Sequence, residues 1–332
     1  MKLKNRFILA ALVAAMGLTV NAGWVYDKEK GVLSDDNWSF GVTIKNGTNE
    51  LTVDCSLDGF ECRATEPCPI DFTSGIIGQE GVSYKVVEFV RGRVNNCSNS
   101  PMTEDHLKLI TEFIAPDCIL IGHQGVGKQF FGASNLRKVQ FSSELKIQKG
   151  SKIFGDCISL VDFYPRTLRS SGDISEIFSG CSKLDGVFHL SDMTSVHKGM
   201  FSGTLVGEVV APNVKDIGES AFRNCGNFTN LVTNVKVESI GRWAFGYCDR
   251  LSFVSLPDSI IRVENGAFSG SRLLQYNIYD NANYLGNNDN PYVCLIDAGA
   301  TTREIHYSTK AIGYGAFASC ISVTNIELPN SV

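Results

Sequence analysis

A chain of 332 residues with 43% hydrophobic and 20% charged side chains is an ordered folded protein, and its composition excludes extended disorder and collagen-like polymers. With 30 Lys+Arg against 35 Asp+Glu the net charge is −5. That balance lacks the basic face that phosphate backbones require, so nucleic acid is excluded as a partner.

Lys2, Lys4 and Arg6 open the chain, Phe7 to Val20 form an apolar run, and Val20-Asn21-Ala22 ends it with small residues. This is the pattern of a secretory signal, residues 1–22, cleaved after Ala22. Its removal leaves 27 Lys+Arg against 35 Asp+Glu, a net of −8. No later apolar run approaches the roughly 20 residues that span a bilayer, so no membrane span is expected. No cysteine follows the apolar run to carry a bacterial lipid anchor. The expected location is secreted or cell surface.

Residues 23–102 read as a small disulfide-bearing β domain. Trp38 to Ile44 and Leu51 to Val53 flank the turn-rich Asn46-Gly47-Thr48-Asn49, which predicts a hairpin, and Tyr84 to Val90 predicts a further strand. Asn95 to Pro101 is polar and proline-terminated, a linker. Cys55, Cys62, Cys68 and Cys97 lie in this aperiodic segment, and in an exported chain they are expected to form two bridges with any of three connectivities. The first three lack the spacing of structural zinc knuckles.

From Thr103 to Val332 a repeat governs the chain. A phenylalanine returns about every 23 residues, at Phe131, Phe154, Phe178, Phe201, Phe222, Phe245 and Phe268, then at Phe317 after a long gap. The best copies are Ile217-Gly218-Glu219-Ser220-Ala221-Phe222, Ile240-Gly241-Arg242-Trp243-Ala244-Phe245 and Ile312-Gly313-Tyr314-Gly315-Ala316-Phe317. A fixed period in the 20–29 range belongs to a solenoid whose units cannot bury their apolar side alone and must stack. Each unit carries two short extended pieces. The first alternates inward and outward side chains before a proline, as in Val323-Thr324-Asn325-Ile326-Glu327-Leu328-Pro329; the second ends at Ile-Gly, where glycine is expected to allow a tight corner before the Ala-Phe plug. Cys157, Cys181, Cys225, Cys248 and Cys320 each follow the repeat Phe by three residues. They read as buried free thiols, with pairing of neighbours such as Cys225 and Cys248 as the alternative.

Between Phe268 and Phe317 the period breaks. Residues 274–298 alternate β-formers around Asn/Asp/Gly/Pro, which predicts a β-hairpin insert replacing the normal arc. The Ile-Gly-x-x-Ala-Phe-x-x-Cys rhythm, the ends Leu256-Pro257-Asp258-Ser259-Ile260 and Leu328-Pro329-Asn330-Ser331-Val332, and the insert's Tyr279-Asp280-Asn281-Ala282 and Tyr284-Leu285-Gly286-Asn287 together resemble the BspA-like leucine-rich repeats. The resemblance covers about Thr103 to Val332 and implies a mainly β leucine-rich-repeat solenoid preceded by the small β domain. It also implies an exported, non-enzymatic surface protein that binds matrix proteins or other cells. The matching motifs are structural, so no binding residue carries over. The copies around Phe154 to Phe201 lack the full motif and are expected to be less regular.

Catalytic and metal motifs are missing. Gly122-His123-Gln124-Gly125-Val126-Gly127-Lys128 matches seven positions of a phosphate-binding loop, but Gln129 stands where a Ser or Thr hydroxyl must meet Mg²⁺. His106, His123, His189, His197 and His306 are scattered without metal-ligand spacing, and no nucleophile signature appears. The sequence therefore predicts no enzyme, no cofactor and no metal.

The expected function is adhesion to a protein or glycan on a host or neighbouring cell through the solenoid strand face. The alternative is a scaffold or substrate-capturing subunit of an exported enzyme system. Alignment on the prolines places Glu208, Val210, Phe253, Ser255, Asn325 and Glu327 outward, with Tyr164 and Phe188 in the irregular middle strands. The chain stops in mid-repeat at Val332. Three explanations follow: a fragment of a longer product, an edge covered by another chain through end-to-end self-association at the carboxyl edge, or a frayed last rung.

Overall fold

The computed structural model describes residues 23–332 except 46, 56–58, 91–101, 119, 122–127, 148–149, 171, 173 and 234–236. The signal segment, the Asn95–Pro101 linker, Cys97 and most of the Gly122–Lys128 motif lie outside the described residues. Eight strands come first: β1 (Trp24–Asp27), β2 (Val32–Ser34), β3 (Trp38–Ile44), β4 (Glu50–Asp54), β5 (Glu61–Cys62), β6 (Cys68–Asp71), β7 (Ile76–Gly78) and β8 (Ser83–Val90). The expected hairpin is β3–β4, with Ile44 opposite Leu51.

Six of these strands close on themselves in the order β1-β2-β3-β4-β8-β7 and back to β1. Closure removes strand edges, and the alternation of side chains turns one apolar set inward. Trp24, Tyr26, Leu33, Phe40, Leu51, Val53 and Phe89 are buried. The Trp24 ring lies 5.8 Å from Phe40, and its Nε1–H donates to the Asp71 carbonyl at 2.6 Å. This barrel is joined to the solenoid by continuous hydrogen bonding. Glu88 and Phe89 of β8 pair in parallel with Leu120 and Ile121, and β6 pairs in parallel with Ile110–Ile114. One apolar core runs from Trp24 to Ala311, so the barrel covers the first rung as a cap would.

Thr103 starts a short helix, α1 (Glu104–Lys108), whose His106 Nδ1 accepts the Thr103 backbone N–H at 3.0 Å. The first strand of the stack follows at Ile110–Ile114 and is continued in parallel by Lys138–Gln140 and Asp162–Tyr164. In a second sheet, Leu120–Ile121, Leu145–Ile147, Thr167–Ser170, Asp185–Leu190, Leu205–Val210 and Asn230–Val232 form a parallel run that continues from β8. The second extended pieces pair separately: Ser195–Val196, Asp216–Ile217, Ser239–Ile240 and Arg262–Val263.

Down the centre runs a column of parallel rings. Phe154 and Phe178 are 5.7 Å apart, Phe178 and Phe201 5.8 Å, Phe201 and Phe222 5.7 Å, Phe222 and Phe245 5.3 Å, and Phe245 and Phe268 5.5 Å, with no interplanar angle above 15°. The first repeat ring is Phe130 rather than Phe131. Phe130 is buried 5.3 Å from Phe154 and 5.5 Å from Phe89, so the column reaches into the barrel. Phe131 is half-buried on the outside, with Lys128 and Lys152 Nζ 5.3 and 5.6 Å from its centroid. In a Phe-Phe doublet the spacing alone does not select the inward member.

The Ile-Gly glycines serve a different purpose from the expected corner. Neither Gly218 nor Gly241 has positive φ; Ser220 and Trp243, both at 56°, take the left-handed turn instead. What glycine supplies is space. A Cβ on Gly218 would lie 2.6 Å from Lys198 N, and one on Gly241 2.6 Å from Glu219 N, in both cases against the backbone of the preceding rung.

The insert is a three-stranded meander, Asn277–Tyr279, Ala282–Leu285 and Cys294–Ala298, in place of the single expected hairpin. Asp280 and Asn281, at φ 45° and 58°, form the two-residue turn whose twist suits a hairpin. Cys294–Ala298 pairs in parallel with Ala311–Ile312, and Tyr314 N–H donates to the Val263 carbonyl at 2.8 Å, so the returning rung bridges the meander and the regular stack. The ring column ends at Phe268. Phe317 joins a separate apolar cluster of Ala282, Tyr284, Leu295, Ala298, Ile305 and Ala316, because the meander interposes its own side chains.

Phe245→Ala is expected to cost about 3–5 kcal/mol by opening a cavity between Phe222 and Phe268. Since each rung touches its neighbours, hydrogen exchange should accelerate first in the flanking rungs, and uniform acceleration through the barrel would refute that modular behaviour. Gly241→Ala should cost about 1–3 kcal/mol by overpacking. In a urea titration of both variants, Gly226→Ala, where a Cβ meets nothing within 4 Å, should be near neutral.

Candidate functional site

Three residues after each ring, a small polar side chain ties one rung to the last. Cys157 Sγ donates to Phe130 O at 3.1 Å, Cys181 to Phe154 O at 2.9 Å, Cys225 to Phe201 O at 2.9 Å and Cys248 to Phe222 O at 3.1 Å. Ser271 makes the same bond to Phe245 O at 2.6 Å. These cysteines are buried free thiols, and the alternative Cys225–Cys248 bridge is not made. Burial pushes the Cys225 thiol up to about 11 and Cys294 up to about 12, and burial followed by the neighbouring Cys225 raises Cys248. Thiols held protonated in a dry column are not nucleophiles. Beside the barrel, in β5 and β6, Cys62 and Cys68 are free, half-buried thiols, so the two bridges expected of Cys55, Cys62, Cys68 and Cys97 are not both present.

Among the described residues no group of three or more His, Cys, Asp or Glu is placed to hold a metal ion. His306 is packed rather than poised. Its ring stacks on Tyr292 with centroids 4.0 Å apart, and burial lowers its pKa.

The outward face of the strands is the site that the repeat builds. Parallel pairing sets side chains of successive rungs in rows: Val187 lies opposite Glu208 and Glu208 opposite Asn230, while His189 lies opposite Val210 and Val210 opposite Val232. Asn230 Nδ2 donates to Glu208 Oε2 at 3.2 Å across two rungs. Of the residues placed outward from sequence, Tyr164 is 53% exposed and Phe253 60% exposed. Ser255, Asn325 and Glu327 are exposed, and Glu208 and Val210 are half-buried. These seven remain accessible on the surface.

Phe188 is a correction. It is fully buried, its ring 5.4 Å from Phe178 and 5.3 Å from Phe201, with the Arg166 guanidinium 5.7 Å from its centroid. A register shift between Gly186 and Val187 in its pairing with Leu205–Val210 accompanies the change of parity, so Val187 and His189 face out in its place. Val187, His189, Asn230 and Val232 were missed because no proline follows Leu190 or Val232 to anchor the alignment.

The sequence profile of the BspA-type leucine-rich repeat region matches in six copies, over residues 110–227, 215–289 and 294–332. The chain belongs to the BspA-type leucine-rich-repeat family. Among solved structures, this BspA-type chain is similar to a leucine-rich cell surface protein from Faecalibacterium prausnitzii A2-165, at 19% identity over 89% of this chain and 94% of that one, with a TM-score of 0.38. It is also similar to a leucine-rich-repeat protein from Bacteroides ovatus ATCC 8483, at 16% identity over 90% and 88% of the two chains, with a TM-score of 0.27. A third likeness is to the pneumococcal vaccine antigen PcpA, at 16% identity over 91% and 71%, with a TM-score of 0.28. None of the curated proteins matches the chain. No helix among the described residues is long and apolar enough to cross a membrane.

The thiol column makes a direct prediction for this BspA-type chain. At pH 8 iodoacetamide should leave Cys157, Cys181, Cys225 and Cys248 unmodified in the folded protein and label all four in denaturant, as read by peptide mass spectrometry. Labelling of the folded chain at the rate of free cysteine would contradict the burial argument.

Proposed function

We propose that the chain is exported and acts at the cell surface as a non-enzymatic binding protein, adhering to a protein or glycan on a host or neighbouring cell through its strand face. The observation that carries this reading is the outward row itself. Two aligned rows, Val187-Glu208-Asn230 and His189-Val210-Val232, cross three rungs, and the large exposed rings of Tyr164 and Phe253 stand on neighbouring rungs of the same stack. Aromatic anchors beside polar and aliphatic positions are the composition that interfaces favour. Membership of a surface-protein family and a signal-like amino terminus support export.

The test is adhesion of the chain from residue 23 onward to matrix-coated surfaces and to intact cells. Combined Tyr164→Ala, Glu208→Lys and Phe253→Ala substitutions are expected to lower capture about tenfold or more, the loss of one or two anchor residues, with an unchanged urea midpoint. Full capture by that variant would sink the strand-face reading.

A further inference from the structure

The polar insert makes a second site, independent of the strand face. Where the ring column stops at Phe268, the rungs part around a cavity of about 440 Å³, within the roughly 300–1,000 Å³ of small-molecule pockets. It has three walls. One is the rung from Val263 to Ser269, the second is the meander with Tyr276, Asn283 and Asp297, and the third is the returning turn at Gly313–Gly315 with Tyr314.

The local pairing accounts for the polar wall. Ala282 and Tyr284 turn into the terminal apolar cluster, so Asn283 between them faces the other way, toward Phe268. Asp297 stands directly opposite Asn283 in the antiparallel pair and opens into the same cavity. At this level the regular repeat would supply an apolar plug. The meander supplies a carboxylate and an amide instead, Asp297 exposed at the mouth and Asn283 half-buried, and among the described residues the side chains of Asn283, Asp297 and Asn265 have no protein hydrogen-bond or ion-pair partner. Glu264, the other carboxylate of the lining, is already engaged, with Arg262 Nε 3.5 Å away and the Arg242 N–H donating to it at 3.1 Å. Burial first, and then the Asp297 charge, raise the Tyr276 phenol, which keeps it a protonated donor at neutral pH.

We propose that this cavity binds a neutral saccharide unit, the terminal sugar of a glycan or a free pyranoside. The lining has no lysine or arginine to hold an anion. It has too many free polar groups for an acyl chain, whose burial would leave them unpaired. Hydroxyl groups both donate and accept, and they match a wall that mixes carboxylate oxygen, amide oxygen, amide N–H and phenol O–H. The Tyr276 and Tyr314 rings offer apolar surface to the C–H face of a sugar, and Tyr314 is 72% exposed at the rim, open to an entering ligand.

The experiment uses the chain from residue 23 onward and a panel of neutral methyl pyranosides of glucose, galactose, mannose and N-acetylglucosamine. Saturation-transfer NMR detects binding and calorimetry measures it. At least one pyranoside is expected to bind, and Asp297→Asn combined with Asn283→Ala should weaken it about tenfold or more, the loss of one to two hydrogen bonds to a charged or buried group. Phe253→Ala should leave sugar binding unchanged while lowering surface capture, which separates failure of this site from failure of the strand face. No saturation transfer from any pyranoside at about 10 mM, a range where even weak sites register, would overturn the proposal. So would preferential binding of n-butylamine abolished by Asp297→Asn, since that result assigns the pocket to a cation.

Discussion

One interaction organises the molecule: the ring of each repeat lies flat on the ring of the one before it. A single 23-residue unit has two or three strand residues on each side and no partner for its apolar face, so alone it has no means of offsetting the entropy of its own ordering. Stacking changes that balance. Each ring from Phe130 to Phe245 has a neighbouring ring on both faces at 5.3–5.8 Å, and such aromatic pairs add about 0.5–1.5 kcal/mol beyond the area they bury. The other regularities serve this spacing. Glycine at 218 and 241 lets adjacent backbones approach, and the cysteine three residues after the ring adds a rung-to-rung bond to the carbonyl of the preceding ring, which also accepts a backbone N–H within its own turn.

A column built this way has a problem at each end, because the last ring and the last strand have an uncovered side. At the amino end the barrel solves both difficulties together. Its Phe89 ring stacks on Phe130, and β8 and β6 supply strand partners to the first rung. Closure leaves the barrel with few edges of its own, so the ladder can begin on it without creating another exposed row. The barrel and the first rungs therefore share one continuous core.

Periodicity made the solenoid legible, because identical packing demands recur at fixed spacing and leave the same residue types behind. The Ile-Gly-x-x-Ala-Phe copies gave the correct strands and core plugs from Phe154 to Phe268. Elements that depend on non-repeated pairing were harder to read. The choice of Phe130 over Phe131, the burial of Phe188, and the barrel's closure through β7 all rest on register between distant segments, which local alternation does not encode. The outward face was legible where a proline anchored it, at Glu208, Val210, Phe253 and Ser255, and lost where none did, at Val187 and Asn230. The cavity left only an indirect trace in the sequence, the long gap between Phe268 and Phe317.

That gap sets the regular and irregular parts of the chain against each other. Among the described residues of the repeats most inward positions are apolar, and Cys157, Cys181, Cys225, Cys248 and Ser271 bond to the adjacent rung, while the buried Gln129 side chain beside Phe130 has no hydrogen-bond partner. The meander places the half-buried Asn283 and the exposed Asp297 on the cavity wall while their neighbours Tyr284 and Leu295 pack into the terminal cluster. Local rules are broken most often where function compensates for the cost. The next plug of the repeat is Phe317, which packs in the terminal cluster rather than on Phe268. The polar pair instead gives up ring stacking beyond Phe268, and the strand ladder, continued through Cys294–Ala298 and Ala311–Ile312, keeps the terminal rungs attached.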